Sequence, residues 1–200
     1  MGRTGGESDA GLPRLFTAVW PPREAIEHLS GALDEAGLER AGAGVRRFRL
    51  MPPRQWHLTL CFHGPADPAA SAVRLDDRVR EATAPRLRLA GAGTFRGVLW
   101  AGVEPAADSD ARALRALVRA AGGDPEAFRA HLTLARWNEG RPDRRALLAG
   151  LDDYAGPWWD ASEVALVRSD QGPAGPVYRN VRSVAVPRRS AGDQGGRGSP

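Results

Sequence analysis

The sequence predicts an α+β protein in which two mainly antiparallel sheets face each other across a central cleft, with helices on the outside. Two observations support this fold class. Short β-type segments alternate with helical segments along the chain, and the tetrapeptide His-Leu-Thr-Leu occurs twice, at residues 57–60 and at residues 131–134. One copy in each half of the chain indicates a bilobal, pseudo-twofold arrangement, in which each lobe contributes one motif strand to the cleft.

The first half of the chain is predicted to form a strand, a helix, two strands and a helix. The first strand ends at Pro21 and Pro22 because proline cannot donate to a sheet, and the first helix ends at Gly37. The last helix begins after Asp67 and Pro68, a typical helix start. In order, these elements span residues 15–20, 23–36, 45–50, 56–62 and 69–83.

The second half is predicted to form two strands, a helix, a strand, a helix and two closing strands. Asp108 or Ser109 caps the first of these helices, which is broken at Gly122. The other elements span residues 86–90, 98–103, 130–136, 142–151, 163–168 and 177–186. Residues 1–12 and 188–200 are rich in small and polar residues and lack hydrophobic periodicity, so we expect disordered tails around one two-lobed domain of residues 13–187.

The composition excludes several classes of protein. Of the 200 residues, 42% are hydrophobic, which suffices for a buried core, and no apolar run approaches the ~20 residues of a membrane-spanning helix. A single cysteine, Cys61, excludes an intrachain disulfide and a multi-cysteine metal site. All 28 basic residues are arginine, so the net charge of +4 reflects a compositional bias and indicates no particular ligand. We expect a cytoplasmic monomer without a membrane partner.

The repeated motif supplies a pair of acid–base groups. Side chains alternate along a strand, so His57 and Thr59 share one face while two leucines anchor the other, and the same holds for His131 and Thr133. Histidine donates and accepts protons near neutral pH, and threonine hydroxyls can donate to the oxygens of a phosphate. Hydrolysis of a phosphodiester needs one neutral and one protonated imidazole, which predicts a bell-shaped pH–rate profile.

Other interpretations fit the motif residues less well. A lone His-x-Thr strand is typically a partly buried histidine beside a β-favouring threonine, but two identical copies among four histidines favour a site. Zinc needs more ligands than two histidines. Cys61 and His63 share the parity of His57, yet His63 lies ~20 Å further along an extended strand. We therefore expect no metal and no cofactor, and interpret Cys61 as a packed thiol and His28 as a surface residue.

A few residues outside the two tetrapeptides are further candidates. Arg136 follows the second motif and could contact a phosphate. Strict alternation places it on the opposite face, so a solvent-exposed surface charge is an equal alternative. Among the aromatic residues, Trp56, Trp100 and Tyr178 could stack a nucleobase, although most tryptophans are expected in the core.

The chain resembles the 2H phosphoesterase superfamily, and within it the RNA 2′,3′-cyclic phosphodiesterases, historically called 2′-5′ RNA ligases. The resemblance spans roughly residues 13–187 and rests on an ordered series of segments: residues 14–22 (RLFTAVWPP), 56–64 (WHLTLCFHG), 93–95 (GTF), 98–103 (VLWAGV), 128–136 (FRAHLTLAR) and 175–178 (GPVY). The chain departs from the family pattern at two positions. Thr17 replaces a second consecutive aromatic residue, and His63 replaces a leucine.

The resemblance implies a two-lobed α+β fold and metal-independent hydrolysis of a 2′,3′-cyclic phosphate, on an RNA end or a small cyclic nucleotide, to a 2′-phosphate. It implies that His57 is the proton donor to the departing 3′ oxygen and His131 the proton acceptor, with Thr59, Thr133 and Arg136 binding the phosphate. Two alternatives stay open: ligation or cleavage of a 2′-5′ linkage or hydrolysis of another cyclic phosphodiester, and a non-catalytic module that binds RNA ends.

Overall fold

The computed structural model describes residues 11–188, except residues 44, 96, 141 and 174. The predicted tails lie outside the described residues over 1–10 and 189–200, and the domain limits at 13 and 187 stay a prediction. Within the described part, no helix is long and apolar enough to cross a membrane.

The strands of the described chain form one nine-stranded antiparallel sheet. Its order is β7-β4-β5-β6-β3-β1-β8-β9, and β2 pairs with β6. The predicted α+β class with mainly antiparallel pairing is confirmed. The strands are β1 (Arg14–Val19), β2 (Arg49–Leu50), β3 (Leu58–Pro65), β4 (Arg86–Phe95), β5 (Val98–Pro105), β6 (His131–Arg136), β7 (Trp159–Asp160), β8 (Glu163–Gly172) and β9 (Gly175–Ala185).

The sheet has two halves that meet at the two motif strands. β3 and β6 pair through Leu58 and Leu132, whereas β1 with β3 and β5 with β6 pair over five or more residues. The two predicted sheets are thus joined edge to edge at the motifs. Each half combines distant chain segments, because β8 and β9 lie beside β1, and β2 lies beside β6. The lobes therefore do not coincide with the halves of the sequence.

Helices cover one face of this sheet. They are α1 (Arg23–Glu35), α2 (Leu38–Ala41), α3 (Pro68–Val79), α4 (Asp108–Ala120) and α5 (Arg144–Leu148). The three longer helices bury apolar residues at the spacing that the sequence predicts: Leu29 and Leu33, Leu75 and Val79, and Leu114, Leu117 and Val118. At the start of α3, Asp67 Oδ1 accepts a hydrogen bond of 2.8 Å from the backbone amide of Ala70, so this helix begins at its predicted cap.

Some predicted boundaries differ from the observed ones. The strand predicted at 45–50 is reduced to β2, and the helix predicted at 142–151 is reduced to α5. The last strand begins at Gly175 rather than at residue 177, because β8 and β9 stay paired up to Gly172 and Gly175 at the tip of their hairpin.

Residues of β1 show how the two faces of the sheet differ. Leu15 and Val19 belong to the main core, which the helices share. Phe16 and Ala18 belong to a second apolar cluster, against which the partly buried Trp20 packs. Since neighbouring residues of a strand point to opposite sides, this second cluster lies on the face away from the helices.

A β-bulge follows the first motif. Thr59 pairs with Ala18 and Cys61 pairs with Thr17, so Leu60 is an extra residue on β3. An extra residue reverses the alternation of the side chains that come after it. The side chain two residues after Leu60 would face the helices in a regular strand, but here it faces the opposite side.

The second motif carries a bulge at the same position. Thr133 pairs with Trp100 and Ala135 pairs with Leu99, so Leu134 is the extra residue on β6. Both bulges thus fall on the last residue of the His-Leu-Thr-Leu tetrapeptide. The repeated sequence corresponds to a repeated backbone structure.

Candidate active site

All five site residues predicted from the sequence line one cleft. The cleft has a volume of about 1150 Å³, and its lining includes His57, Thr59, His131, Thr133 and Arg136. Because the two motif strands are neighbours in the sheet, both motifs present their polar side chains to the cleft from adjacent strands. The parity argument for the histidines and threonines therefore agrees with the structure.

The two imidazoles are held in the same way. His57 Nδ1 donates to the backbone carbonyl oxygen of Gln55 at 2.6 Å, and His131 Nδ1 donates to that of Arg129 at 2.7 Å. A carbonyl oxygen only accepts, so each Nδ1 carries a hydrogen, and in the neutral ring the lone pair is on Nε2. Nε2 is thus the atom of each histidine that can exchange a proton with a bound molecule.

The ring of His57 lies among three aromatic side chains. Its centroid is 4.9 Å from that of Phe16, 5.0 Å from that of Trp20 and 5.3 Å from that of Tyr178. Tyr178 meets the imidazole edge to face. These rings restrict the orientation of the imidazole and keep water away from most of its surface.

This enclosure changes the acidity of His57. Burial, together with the positive charges of Arg136 and His131, lowers the pKa of His57 from 6.5 to about 4, although the hydrogen bond to Gln55 acts in the opposite direction. At neutral pH, His57 of the free protein is therefore mainly uncharged. The protonated form needs a negative charge nearby.

His131 has different surroundings. Its ring centroid lies 5.3 Å from that of Phe95 and 6.4 Å from that of Trp100. Phe95 is 43% exposed, so this side of the cleft is more open to solvent than the aromatic enclosure of His57. Two motifs that are identical in sequence thus place their histidines in unequal environments.

Arg136 reaches the cleft, contrary to strict alternation along β6. The bulge at Leu134 brings it to the side of Thr133, and its Nη2 donates to Thr133 Oγ1 at 3.5 Å. Its charge also lowers the pKa of His57. The interpretation of Arg136 as a surface charge on the opposite face is therefore wrong, because it assumed a regular strand.

Phe62 is the counterpart of Arg136 in the first motif. It follows His57 by five residues, as Arg136 follows His131, and it comes directly after the bulged part of β3. Its ring is 77% exposed, lies 6.1 Å from that of Phe16 and lines the cleft. Sequence reasoning missed Phe62 because regular alternation from His57 points it away from the site.

Gln55 is a second residue that sequence reasoning missed. Its backbone carbonyl holds His57, and its side-chain Nε2 donates to the backbone carbonyl of Pro176 at 3.0 Å. It therefore connects the segment before β3 to the start of β9. Arg49 of β2 also lines the cleft. No local pattern marks either residue. The hydrogen bond of Gln55 to Pro176 and the pairing of β2 with β6 both join segments that are distant in the chain.

His63 lies behind the cleft, toward the helices, and Cys61 lies at the edge of the cleft. His63 Nε2 is 2.9 Å from Thr17 Oγ1, and His63 Nδ1 is 3.7 Å from Cys61 Sγ. His63 also lines a small cavity with residues of α3, including Arg74. The expected parity with His57 is wrong because of the bulge at Leu60. Thr17 and His63, the two positions at which the resemblance implies a departure from the family pattern, are thus hydrogen-bonding partners.

Burial also governs the acidity of His63 and Cys61. It lowers the pKa of His63, with a further contribution from the charge of Arg74, and it raises the pKa of the Cys61 thiol. Both groups are therefore held in their uncharged forms at neutral pH. The half-buried thiol agrees with its interpretation as a packing residue.

Two other candidates lie away from the cleft. Trp56 is buried in the main core, where its Nε1 donates to the backbone carbonyl of Met51 at 2.9 Å, so its proposed stacking on a nucleobase is wrong. His28 is on the exposed side of α1, with Nδ1 3.1 Å from the hydroxyl of Tyr154. Among the residues that the structure describes, no group of three or more His, Cys, Asp or Glu side chains is placed to hold a metal ion.

Comparisons with known proteins agree with this fold. Residues 21–173 match the 2′-5′ RNA ligase superfamily. A protein of Thermus thermophilus, the RNA 2′,3′-cyclic phosphodiesterase, is 34% identical over 192 residues, which cover 82% of this chain and 86% of that protein.

Solved structures show the same fold. The crystal structure of TT0787 from Thermus thermophilus superposes with a TM-score of 0.66 at 27% identity, covering 88% of this chain and 100% of that one. E. coli LigT complexed with phosphate superposes with a TM-score of 0.67 at 21% identity, covering 90% of this chain and 100% of that one. The match to the superfamily over residues 21–173, together with the relative at 34% identity, shows that the chain belongs to the 2′-5′ RNA ligase superfamily.

Proposed function

We propose that this protein hydrolyses the 2′,3′-cyclic phosphate at the end of an RNA strand to a 2′-phosphate, by two-histidine acid–base catalysis without a metal ion. The observation that carries the proposal is the pair of imidazoles in one cleft, each fixed through Nδ1 by a backbone carbonyl two residues earlier. The activity named for the Thermus thermophilus relative supports the choice of substrate.

The proposed reaction assigns one step to each polar group. Nε2 of His131 accepts a proton from water as the water oxygen attacks phosphorus. The bond from phosphorus to the 3′ oxygen breaks, and protonated His57 gives its Nε2 proton to that oxygen, which leaves a 3′ hydroxyl and a 2′-phosphate. Thr59 and Thr133 donate hydrogen bonds to the non-bridging oxygens, and the charge of Arg136 stabilises the negative charge that builds up there.

The acid role of His57 depends on the substrate. In the free protein its pKa is about 4, so it lacks the proton that it must give at neutral pH. A phosphodiester between the two histidines adds a negative charge, which favours the imidazolium and raises the pKa of His57. NMR titration with a nucleoside 2′-phosphate, followed on the His57 ring, is expected to show this rise; an unchanged pKa in the complex contradicts the assignment of His57 as the acid.

The activity is tested on a short RNA that ends in a 2′,3′-cyclic phosphate, with EDTA present throughout. Wild type is expected to open the ring at the 3′ oxygen and to form only the 2′-phosphate. His57→Gln and His131→Gln are each expected to lower kcat by roughly 10²- to 10⁴-fold, the usual contribution of a general acid or base. His28→Gln is the matched control, because His28 lies on α1 and does not line the cleft.

The same assay separates the alternatives. Absence of ring opening by the wild type, loss of the reaction in EDTA, or full activity of either motif variant refutes the proposal. Binding of the RNA end without turnover indicates the non-catalytic module. Faster reaction with a 2′-5′ linkage or with a different cyclic phosphodiester shows that the chemistry is right and the substrate wrong.

A further inference from the structure

A second pocket opens beside the catalytic cleft. Its volume is about 480 Å³, and we call it the side pocket; its lining includes Trp20, Arg54, Val177 and Asn180. It shares Arg49, Gln55, Pro176 and Tyr178 with the cleft. The two spaces therefore share part of their wall, and no role in the proposed hydrolysis uses the side pocket.

Aromatic rings separate the side pocket from the catalytic imidazole. Trp20 and Tyr178 line the pocket, and their ring centroids lie 5.0 Å and 5.3 Å from that of His57. A single layer of aromatic rings thus lies between a group bound in the pocket and the imidazole of His57. Rings of this kind offer stacking surfaces for nucleobases.

The charged and polar groups of the pocket suit an anion. Arg54 is exposed and forms no ion pair with a described carboxylate. No Asp or Glu occurs among the described lining residues, which include a second arginine, Arg49. Aromatic surface beside positive charge is the combination with which proteins bind single-stranded nucleic acid.

Gln55 adds an observation of a different kind. Its side-chain Nε2 donates to the backbone carbonyl of Pro176, but its Oε1 is buried and has no hydrogen-bond partner among the described residues. A buried acceptor without a donor is uncommon and calls for an explanation. Gln55 lines both the side pocket and the cleft, so a turn of its side chain would bring this acceptor to a ribose hydroxyl or an exocyclic amine bound between them.

We propose that the side pocket binds the nucleotide that precedes the terminal one in an RNA strand, with its base on the aromatic wall and its phosphodiester at Arg54. The proposal rests on the proposed hydrolysis and deepens it. It makes an oligoribonucleotide end a better substrate than a cyclic mononucleotide, because only the oligonucleotide fills both spaces.

The test compares two substrates that differ by one nucleotide. They are adenosine 2′,3′-cyclic monophosphate and the dinucleotide ApA that ends in a 2′,3′-cyclic phosphate. Wild type is expected to have a kcat/KM roughly tenfold higher for the dinucleotide, mainly through a lower KM, as one stacked base and one phosphate contact allow. Equal kcat/KM for the two substrates overturns the inference.

Arg54→Gln isolates the phosphate contact. It is expected to lower kcat/KM for the dinucleotide about fivefold and to leave kcat/KM for the mononucleotide unchanged. The slope of log KM against log salt concentration for the dinucleotide should fall by about 0.7, the value for one phosphate of a single strand. Arg112→Gln makes the same charge change at an exposed position of α4 that does not line the pocket. A loss of the same size for both substrates, or in both variants, contradicts the inference.

Val177→Glu tests the pocket by repulsion. Val177 is 44% exposed and lines the side pocket. A carboxylate there should therefore weaken binding of the dinucleotide more than binding of the mononucleotide, without disturbing the core.

The two proposals fail in different ways. If wild type turns over neither substrate, hydrolysis is refuted, and fluorescence-anisotropy binding of the dinucleotide 2′-phosphate still tests the pocket: equal affinity in wild type and Arg54→Gln overturns it.

Discussion

Leu58 pairs with Leu132 where β3 runs antiparallel to β6, and both leucines are buried. Continuing this register by one residue on each side places His57 opposite Thr133, and Thr59 opposite His131. Each histidine therefore has the hydroxyl of the other motif as its cross-strand neighbour. In the proposed reaction, a phosphate over this junction is contacted by an imidazole and a hydroxyl from each strand.

The cross-strand arrangement predicts that the two threonines contribute similarly. Thr59→Val and Thr133→Val keep the shape of the side chain and remove the hydroxyl. Each is expected to lower kcat on the order of 100-fold, the effect of removing one donor that stabilises developing charge, with a smaller effect on KM. Steady-state kinetics on the cyclic-phosphate RNA measures this, and Thr83→Val, outside the cleft, should behave like wild type. A normal kcat in both motif variants would show that the two hydroxyls do not take part in the proposed reaction.

Arg136 is predicted to influence His57 as well as the substrate. Arg136→Met removes a positive charge that disfavours the imidazolium, so the pKa of His57 in the free protein is expected to rise from about 4. It should stay below 6.5, since burial is the larger cause of the low pKa. NMR titration of the His57 ring measures the change, with Arg112→Met on α4 as a control of equal charge. If the pKa of His57 falls or stays the same in Arg136→Met, the charge of Arg136 does not act on His57 as the structure indicates.

The low pKa of His57 predicts a particular dependence of stability on pH. The unfolded chain protonates this histidine below about pH 6.5, whereas the folded protein does so only near pH 4. Protonation therefore favours the unfolded state as the pH falls from 6.5 to 4, and there is no such contribution above 6.5. Between pH 7 and pH 4, wild type should lose roughly 3 kcal/mol more of its free energy of unfolding than His57→Gln does.

Urea denaturation of the two proteins at several pH values measures this difference, and the titrating groups that do not interact with His57 cancel in the comparison. His28→Gln, at an exposed position, should follow the wild-type curve. Parallel curves for wild type and His57→Gln would mean that His57 is not enclosed as the structure has it.

The sequence was sufficient to predict the faces of the motif strands but not the course of each strand beyond its motif. Alternation over three residues places each histidine with its threonine, and this needs no knowledge of the partners of a strand. The bulges at Leu60 and Leu134 are different, because nothing distinguishes a bulged leucine from a regular one until the neighbouring strands are paired. For that reason strict alternation left a surface position on the opposite face as an equal alternative for Arg136, and Phe62 was missed.

The limits of the fold prediction have a similar origin. Periodicity within a segment predicts strands and helices, whereas the choice of a partner strand depends on contacts between distant segments. The pairing of β8 with β1, and of β2 with β6, has no local signature. Residues that depend on such pairings, such as Gln55 with its hydrogen bond to Pro176, were therefore not predictable.

The hydrogen bond between Thr17 and His63 provides a last prediction, concerning stability. Thr17 is 1% exposed and its Oγ1 lies 2.9 Å from His63 Nε2. Thr17→Val leaves the imidazole without this partner, and His63→Leu leaves a buried hydroxyl without one, so each single change is expected to cost about 1–2 kcal/mol. In the double variant neither polar group is left unpaired, and the loss should be smaller than the sum of the two by about 1 kcal/mol.

Chemical denaturation of wild type, both single variants and the double variant measures this coupling. A parallel cycle of Thr17→Val with His28→Leu is expected to be additive, because His28 lies on the exposed side of α1 and contacts Tyr154 rather than Thr17. Additive losses for Thr17 and His63 would show that their contact does not stabilise the protein. A coupling of the expected size would mean that Thr17 and His63 stabilise each other behind the cleft.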